Sequence, residues 1–75
     1  MSPGALRARV AANIRDLADA KGVSLNTLAD LSALSRAGFH FIVTAKKAAT
    51  LDSLAAVANA LGIDPSRLLR ARDDE

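Results

Sequence analysis

The sequence of 75 residues predicts one all-α domain made of five short helices. Apolar residues recur at steps of three and four along five segments, which is the period of a helix that buries one face. Residues typical of helix ends, such as Ser, Thr, Asp and Gly, stand at the bounds of these segments. No segment shows the alternating apolar and polar pattern of a half-buried strand.

The first helix is predicted at residues 5–21, after a flexible lead-in at residues 1–4 that contains Pro3 and Gly4. Its apolar stripe consists of Leu6, Val10, Ile14, Leu17 and Ala18. Gly22 follows the stripe, and a glycine in this place is typical of the left-handed residue that ends a helix.

Residues 24–44 contain two further predicted helices, on which the predicted function depends. Ser24 can cap the first of them and Ser35 the second, because a serine hydroxyl accepts hydrogen bonds from unpaired N–H groups of a first turn. Only residues 32–35 remain to connect the two helices. Helices joined so closely must cross steeply, so we expect a helix-turn-helix arrangement.

The second helix of this pair has two different faces. Its outward side carries Arg36, Ala37, His40, Phe41 and Thr44, and its inward side carries Phe39, Ile42 and Val43. Lys46 and Lys47 follow directly, where a DNA backbone would pass. This pattern suits a helix that enters a DNA major groove, although an amphipathic helix with a solvated face and two solvated lysines would share it.

The last third of the chain predicts two more helices. Thr50 and Gly62 are typical bounds of the first, whose predicted apolar face consists of Leu51, Leu54, Val57, Ala58 and Leu61. Asp64 as N-cap and Pro65 as first residue open the second, which carries Leu68 and Leu69. The acidic tail at residues 71–75 is expected to fray.

Composition excludes several classes of function. Without cysteine there is neither a disulfide nor a thiolate metal site, and the single histidine has no carboxylates spaced to share a metal. No nucleophile with a base, carboxylate pair or phosphate loop is present, so we expect neither an enzyme nor a cofactor. No apolar run reaches the ~18 residues of a membrane span and no signal-peptide pattern is present, so the expected location is the cytoplasm, with no membrane partner.

Charge is unevenly distributed along the chain. The net charge is +2, but the last three residues are all acidic, so residues 1–72 carry ten basic and five acidic side chains. A basic body fits a polyanionic partner, although the same charge serves solubility in many small domains.

Five motifs follow one another in a characteristic order. Ile14-x-x-Leu17 precedes Gly22-Val23-Ser24, Leu28-Ala29 follows, and Leu34-Ser35 opens the next helix. The most specific motif is Thr50-Leu51-x-x-Leu54-x-x-Val57-Ala58-x-Ala60-Leu61-Gly62-Ile63-Asp64. Together they resemble the phage-repressor and Cro-like helix-turn-helix family, also called lambda-repressor-like DNA-binding domains, over about residues 6–70. The resemblance implies a compact five-helix DNA-binding domain at residues 5–70.

This resemblance implies a transcriptional regulator, most often a repressor, that binds double-stranded DNA at a palindromic operator as a homodimer. The implied base-reading residues are Arg36, Ala37, His40 and Phe41. The implied contacts to the DNA backbone are Ser24, Asn26, Thr27, Ser35, Thr44, Lys46 and Lys47. Because no separate oligomerisation domain is visible, we expect the dimer to form through Leu68 and Leu69, unless these leucines close the core.

Four positions depart from the pattern of the family. Leu25 stands where the family usually has Gln, which removes one side-chain contact to a phosphate. Ala33 replaces the usual glycine of the turn, which predicts mild strain there. Ala18 and Val43 replace an Arg–Glu pair, and because both charges are missing together we predict that the two apolar side chains meet.

A protein-interaction module on the same fold is the alternative interpretation, as an antitoxin-like partner or an anti-repressor. The outward face of the third helix has one arginine, neither Gln nor Asn, and an extra aromatic residue, Phe41. Phe41 could contact a thymine methyl group or a partner chain, or be partly buried. A regulatory protein partner is compatible with both interpretations.

Overall fold

The computed structural model describes residues 1–75 and contains five helices and no strand. The helices are α1 (Pro3–Ala20), α2 (Leu25–Leu31), α3 (Arg36–Val43), α4 (Leu51–Leu61) and α5 (Ser66–Leu69). The predicted all-α class and the predicted order of helices are therefore confirmed. None of the five helices combines the length and the apolarity that crossing a membrane requires.

Side-chain caps fix where four of the helices begin. Ser24, Ser35 and Thr50 each accept a hydrogen bond from the backbone N–H three residues on, at 3.0 or 3.1 Å, which confirms these predicted caps. Ser2 does the same for α1 at 3.1 Å. The helix therefore starts at Pro3, and the expected flexible lead-in is wrong for its last two residues. Proline suits this position because its missing N–H is one that a helix leaves unpaired anyway.

The core lies where α1 packs against α3 and α5, and where α2 packs against α4. All five helices contribute to its twelve buried residues, of which the largest fully enclosed side chains are Ile14, Leu28, Val57 and Leu68. Ala18 and Val43 both belong to this core. The two positions that depart from the family's charged pair therefore face the same apolar interior.

Two leucines of the predicted apolar stripes are exposed instead. Leu6 is 38% exposed and Leu51 is 82% exposed. Leu51 is the first residue of α4, and helical side chains lean toward the N-terminus of their helix. Its side chain therefore extends beyond the packed part of α4, although the helical period assigns it to the buried face.

The short helix α5 starts one residue later than predicted. Pro65 is the N-cap residue, and Asp64 lies just before it. Oδ1 of Asp64 nevertheless accepts a hydrogen bond from the Ser66 backbone N–H at 2.9 Å. Hydrogen bonds from Ser66 lower the pKa of the Asp64 carboxyl, because they stabilise its charged form.

The acidic tail at residues 71–75 is held against α1, so the expectation that it frays is wrong. Arg9 Nε donates to the Glu75 carboxylate at 2.6 Å. Arg72 Nη2 donates to Asp16 at 2.6 Å. These contacts lower the pKa of Glu75, whose largest perturbation is the hydrogen bond from Arg9, and raise the pKa of Arg72, whose largest perturbation is the bond to Asp16.

Asn13 connects the tail to the core. Its Nδ2 donates to the backbone carbonyls of Leu68 and Arg70, both at 2.9 Å, and its Oδ1 accepts from Arg72 at 2.9 Å. Asn13 is buried, and a buried amide is stable only when its donors and acceptor are paired. This single side chain therefore fixes the chain that leaves α5.

Candidate nucleic-acid interface

The connection between α2 and α3 is a tight turn at residues 32–35. Ala33 adopts a left-handed conformation with φ 56°, at the position where a glycine would be free of strain. The N–H of Ala33 donates to Asp30 and the N–H of Leu34 donates to Ala29, both at 3.1 Å. The predicted helix-turn-helix arrangement is present, and its turn depends on an alanine in a strained conformation.

The two faces of α3 are those expected from the helical period, except that Phe41, assigned to the outward side, is partly buried. Phe39 and Val43 are buried, and Ile42 is partly buried against the core. The exposed side carries Arg36, Ala37, Gly38, His40 and Thr44. The outward face therefore presents one guanidinium, one imidazole and small side chains to an incoming ligand.

Arg36, the first residue of α3, pairs with a carboxylate of α2. Its Nη2 donates to Oδ2 of Asp30 at 3.4 Å. The two side chains are 65% and 61% exposed, so each remains accessible to other partners. Sequence reasoning did not identify Asp30, because nothing in the spacing of two exposed side chains on different helices signals that they pair.

Phe41 is partly buried, and Lys47 covers it. Nζ of Lys47 lies 4.6 Å from the centroid of the Phe41 ring, which is the geometry of a cation–π contact. The backbone N–H groups of Lys46 and Lys47 also donate to the Phe41 carbonyl, at 2.9 and 3.2 Å. The loop that carries both lysines is thus fastened to α3, and the base contact predicted for Phe41 stays a prediction.

The C-terminal end of α3 is anchored from two sides. Arg15 of α1 donates to the carbonyl of Val43, where a cation also complements the helix dipole. Thr44 Oγ1 donates to the carbonyl of His40 at 2.7 Å. Ala45 then turns the chain in a second left-handed conformation, with φ 61°. Sequence reasoning did not identify this anchoring role of Arg15.

Ser35 and Gly38 are adjacent at the start of α3. The Ser35 hydroxyl accepts from the N–H of Gly38 at 3.0 Å, and a Cβ added at Gly38 would lie 2.9 Å from that oxygen. The glycine in this helix therefore leaves room for the capping hydroxyl.

The N-terminal end of α2 presents three of the residues predicted to contact a DNA backbone. Ser24, Asn26 and Thr27 are all exposed there. The Ser24 hydroxyl accepts from the Thr27 N–H at 3.1 Å and donates to the Thr27 hydroxyl at 2.9 Å. Leu25, between them, packs partly buried against the core, which leaves Asn26 as the free amide of this turn.

The two leucines expected at a dimer surface occupy different environments. Leu68 is 0% exposed and belongs to the core, so its assignment to a dimer surface is wrong. Leu69 is exposed and lines a groove of about 170 Å³. The apolar lining of this groove consists of Pro3, Leu6, Val10, Ile42, Ala48, Ala49, Leu54 and Leu69.

Comparisons with known proteins agree with this geometry. The sequence model of the Cro/C1-type helix-turn-helix DNA-binding domain matches residues 13–74. Among solved structures, the chain is similar to the restriction-modification controller protein C.AhdI from Aeromonas hydrophila, with a TM-score of 0.79 and 32% sequence identity. That match covers 83% of this chain and 94% of the other. No curated protein sequence matches. The resemblance and the five-helix fold inferred from the motifs are thereby confirmed.

Proposed function

Because the chain belongs to the family of Cro/C1-type helix-turn-helix DNA-binding domains, we propose that it is a repressor that binds a palindromic operator as a homodimer. DNA binding and a role in transcription regulation follow from the family. The observation that carries the finer proposal is the outward face of α3, where Arg36 stands at the start of an exposed surface that otherwise carries His40 and small residues. No catalytic step is part of this role, and its place is the cytoplasm.

Arg36 is the principal base-reading residue in this proposal. It stands in the first turn of α3, and the N-terminal residues of a recognition helix are those that reach base edges. A guanidinium can donate to O6 and N7 of one guanine together. His40, one turn along, faces the next base edge or a phosphate, while Ala37 lets the helix approach closely and Phe41 reaches a thymine methyl group.

In this proposal, the residues around α3 contact the phosphates of the DNA backbone. Lys46 and Lys47 provide charge in the loop after α3, and the exposed groups of Ser24, Asn26 and Thr27 provide hydrogen bonds at α2. Ser35 and Thr44 lie at the two ends of α3. Such contacts fix the register of a protein on its duplex and make the affinity depend on salt, without reading sequence.

Leu69 marks the proposed dimer surface. It is exposed at the groove that Leu6 also lines, so several apolar side chains meet there. Leu51 is more exposed, but it lies at the start of α4 and does not line this groove. Leu69→Glu should therefore shift the protein to the monomer in sedimentation equilibrium, and Leu51→Glu is the matched control. A dimer that survives Leu69→Glu and dissociates with Leu51→Glu would move the interface to α4.

Selection of duplexes from a random pool tests the whole proposal. We expect enrichment of a palindrome whose half-sites lie about 10 bp apart, since two α3 helices of a symmetric dimer would enter successive major grooves. Arg36→Ala should then weaken binding by about 1–3 kcal/mol and relax the choice at one position. Equal weakening on every duplex would instead make Arg36 a phosphate contact.

The alternative role, a protein-interaction module, is favoured by the exposed apolar residues Leu31 and Leu51, at 61% and 82% exposure. It predicts that the random pool yields no enriched sequence and only weak binding that salt abolishes. It also predicts that a regulatory protein partner covers these leucines.

A further inference from the structure

The ion pair between Asp30 and Arg36 joins the two helices of the motif across their turn. Asp30 is the next-to-last residue of α2 and Arg36 is the first residue of α3, and Nη2 lies 3.4 Å from Oδ2. We propose that Asp30 is a positioning residue that determines which base Arg36 selects. This inference rests on the proposed function, in which Arg36 reads a base edge.

The bond to Asp30 engages one side of the Arg36 guanidinium. An arginine has five N–H donors in a rigid plane, so the bond from Nη2 to Asp30 biases the direction of the Arg36 side chain and leaves its other donors for a base. Arg36 is the single Lys or Arg of α3. The direction in which this one side chain extends therefore decides the strongest base contact that the helix can make.

The negative charge of Asp30 also favours the base-reading pose of Arg36. Between Asp19 and Asp52 it is the one acidic residue, in a segment that also carries Lys46 and Lys47. An exposed carboxylate on a face that meets DNA lowers affinity by repelling phosphates, so it contributes nothing to general binding. The Asp30 carboxylate does disfavour a competing pose, in which Arg36 turns toward a phosphate. Specificity is often obtained by such discrimination against a wrong pose.

Folding does not explain this pair. Both side chains are more than half exposed, and such surface ion pairs contribute little to stability. Replacing Asp30 should leave the thermal midpoint nearly unchanged, so any change in DNA preference would arise from the binding step.

Duplex selection with Asp30→Asn, Arg36→Ala and the double variant tests the proposal. Asp30→Asn should bind unrelated duplexes more tightly, and the ratio of specific to non-specific affinity should fall by about fivefold or more, with loss of preference at one base position. In the Arg36→Ala background the same change should not alter base preference. Asp30→Glu, which keeps the carboxylate, should retain most of the preference.

Asp19→Asn is the matched control for charge, because Asp19 is exposed and its carboxylate makes no hydrogen bond or ion pair. If Asp30→Asn and Asp19→Asn both raise affinity for every duplex equally and leave base preference intact, Asp30 acts by net charge alone and the proposal is wrong. If the unsubstituted protein enriches no sequence, the proposed function fails and this role fails with it.

Discussion

Replacing Ala33 by glycine should make the protein more stable. Ala33 has φ 56°, and a left-handed conformation costs an L-residue about 1–2 kcal/mol, whereas glycine adopts it freely. Glycine also has more conformational freedom than alanine in the unfolded chain, and this difference offsets about 0.4–1 kcal/mol of the gain in stability. Ala33 is exposed, so its methyl group contributes little packing. The free energy of unfolding should therefore rise by about 0.5–1 kcal/mol.

Thermal unfolding followed by circular dichroism measures this gain. For a domain of this size the midpoint should rise by about 2–8 °C. Ala8→Gly is the matched control, since Ala8 is exposed in the interior of α1, where glycine costs about 1 kcal/mol. If both variants lose stability by similar amounts, the turn stores no strain and the reasoning from φ is refuted.

Three further predictions concern the core, the loop after α3 and the tail. Leu68→Ala should lower the free energy of unfolding by about 2–5 kcal/mol, while Leu69→Ala should cost well under half of that, as denaturant titration would show. Because the Phe41 ring holds Lys47 by a cation–π contact, Phe41→Leu and Lys47→Ala should each reduce the slope of log affinity against log salt by about 0.9, and the double variant should reduce it no further. Phe41→Leu should in addition relax the preference for thymine at one position, and an unchanged base preference would contradict the proposed contact with a thymine methyl group. The pKa of Glu75 is lower in the folded state, so on acidification the Glu75 carboxylate is protonated first in the unfolded chain. The stability that the Glu75 carboxylate contributes is therefore present above about pH 4.5 and is lost as the pH falls through the folded pKa. Thermal midpoints between pH 3 and 7 should fall less steeply on acidification in Glu75→Gln, and an unchanged pH profile would show that the ion pair with Arg9 is not formed in solution.

Local signals in the sequence predicted most of the fold. Ser24, Ser35 and Thr50 act within three residues of themselves, so their capping role needs no knowledge of the rest of the chain. The periodic leucines similarly report a buried face, and they fail mainly at the first turns, as Leu51 shows. The burial of a side chain near a helix end depends on how far the neighbouring helices extend. The local sequence around that side chain does not report this.

Contacts between distant segments could not be predicted in this way. Arg9 and Glu75 pair across 66 positions, and Asn13 reaches carbonyls that are 55 and 57 positions away. A run of acidic residues at a chain end usually signals solvated, mobile chain. Only the path of α5 beside α1 brings these groups together, so the tail was assigned a frayed state that the structure corrects.

Specificity in this domain should depend on side chains more than on ordering of the helix that carries them. The Ser35 hydroxyl caps α3 at one end, and Arg15 and the backbone of the lysine loop hold its last carbonyls at the other. A helix restrained at both ends loses little further conformational freedom on binding, so its backbone contributes a similar free energy to the binding of every duplex. The exposed Arg36 side chain projects from that fixed helix, with Asp30 as its one side-chain partner in the free protein. Substitutions at Asp30 should therefore change which sequence is chosen, whereas substitutions at Arg15 should weaken binding to all sequences alike.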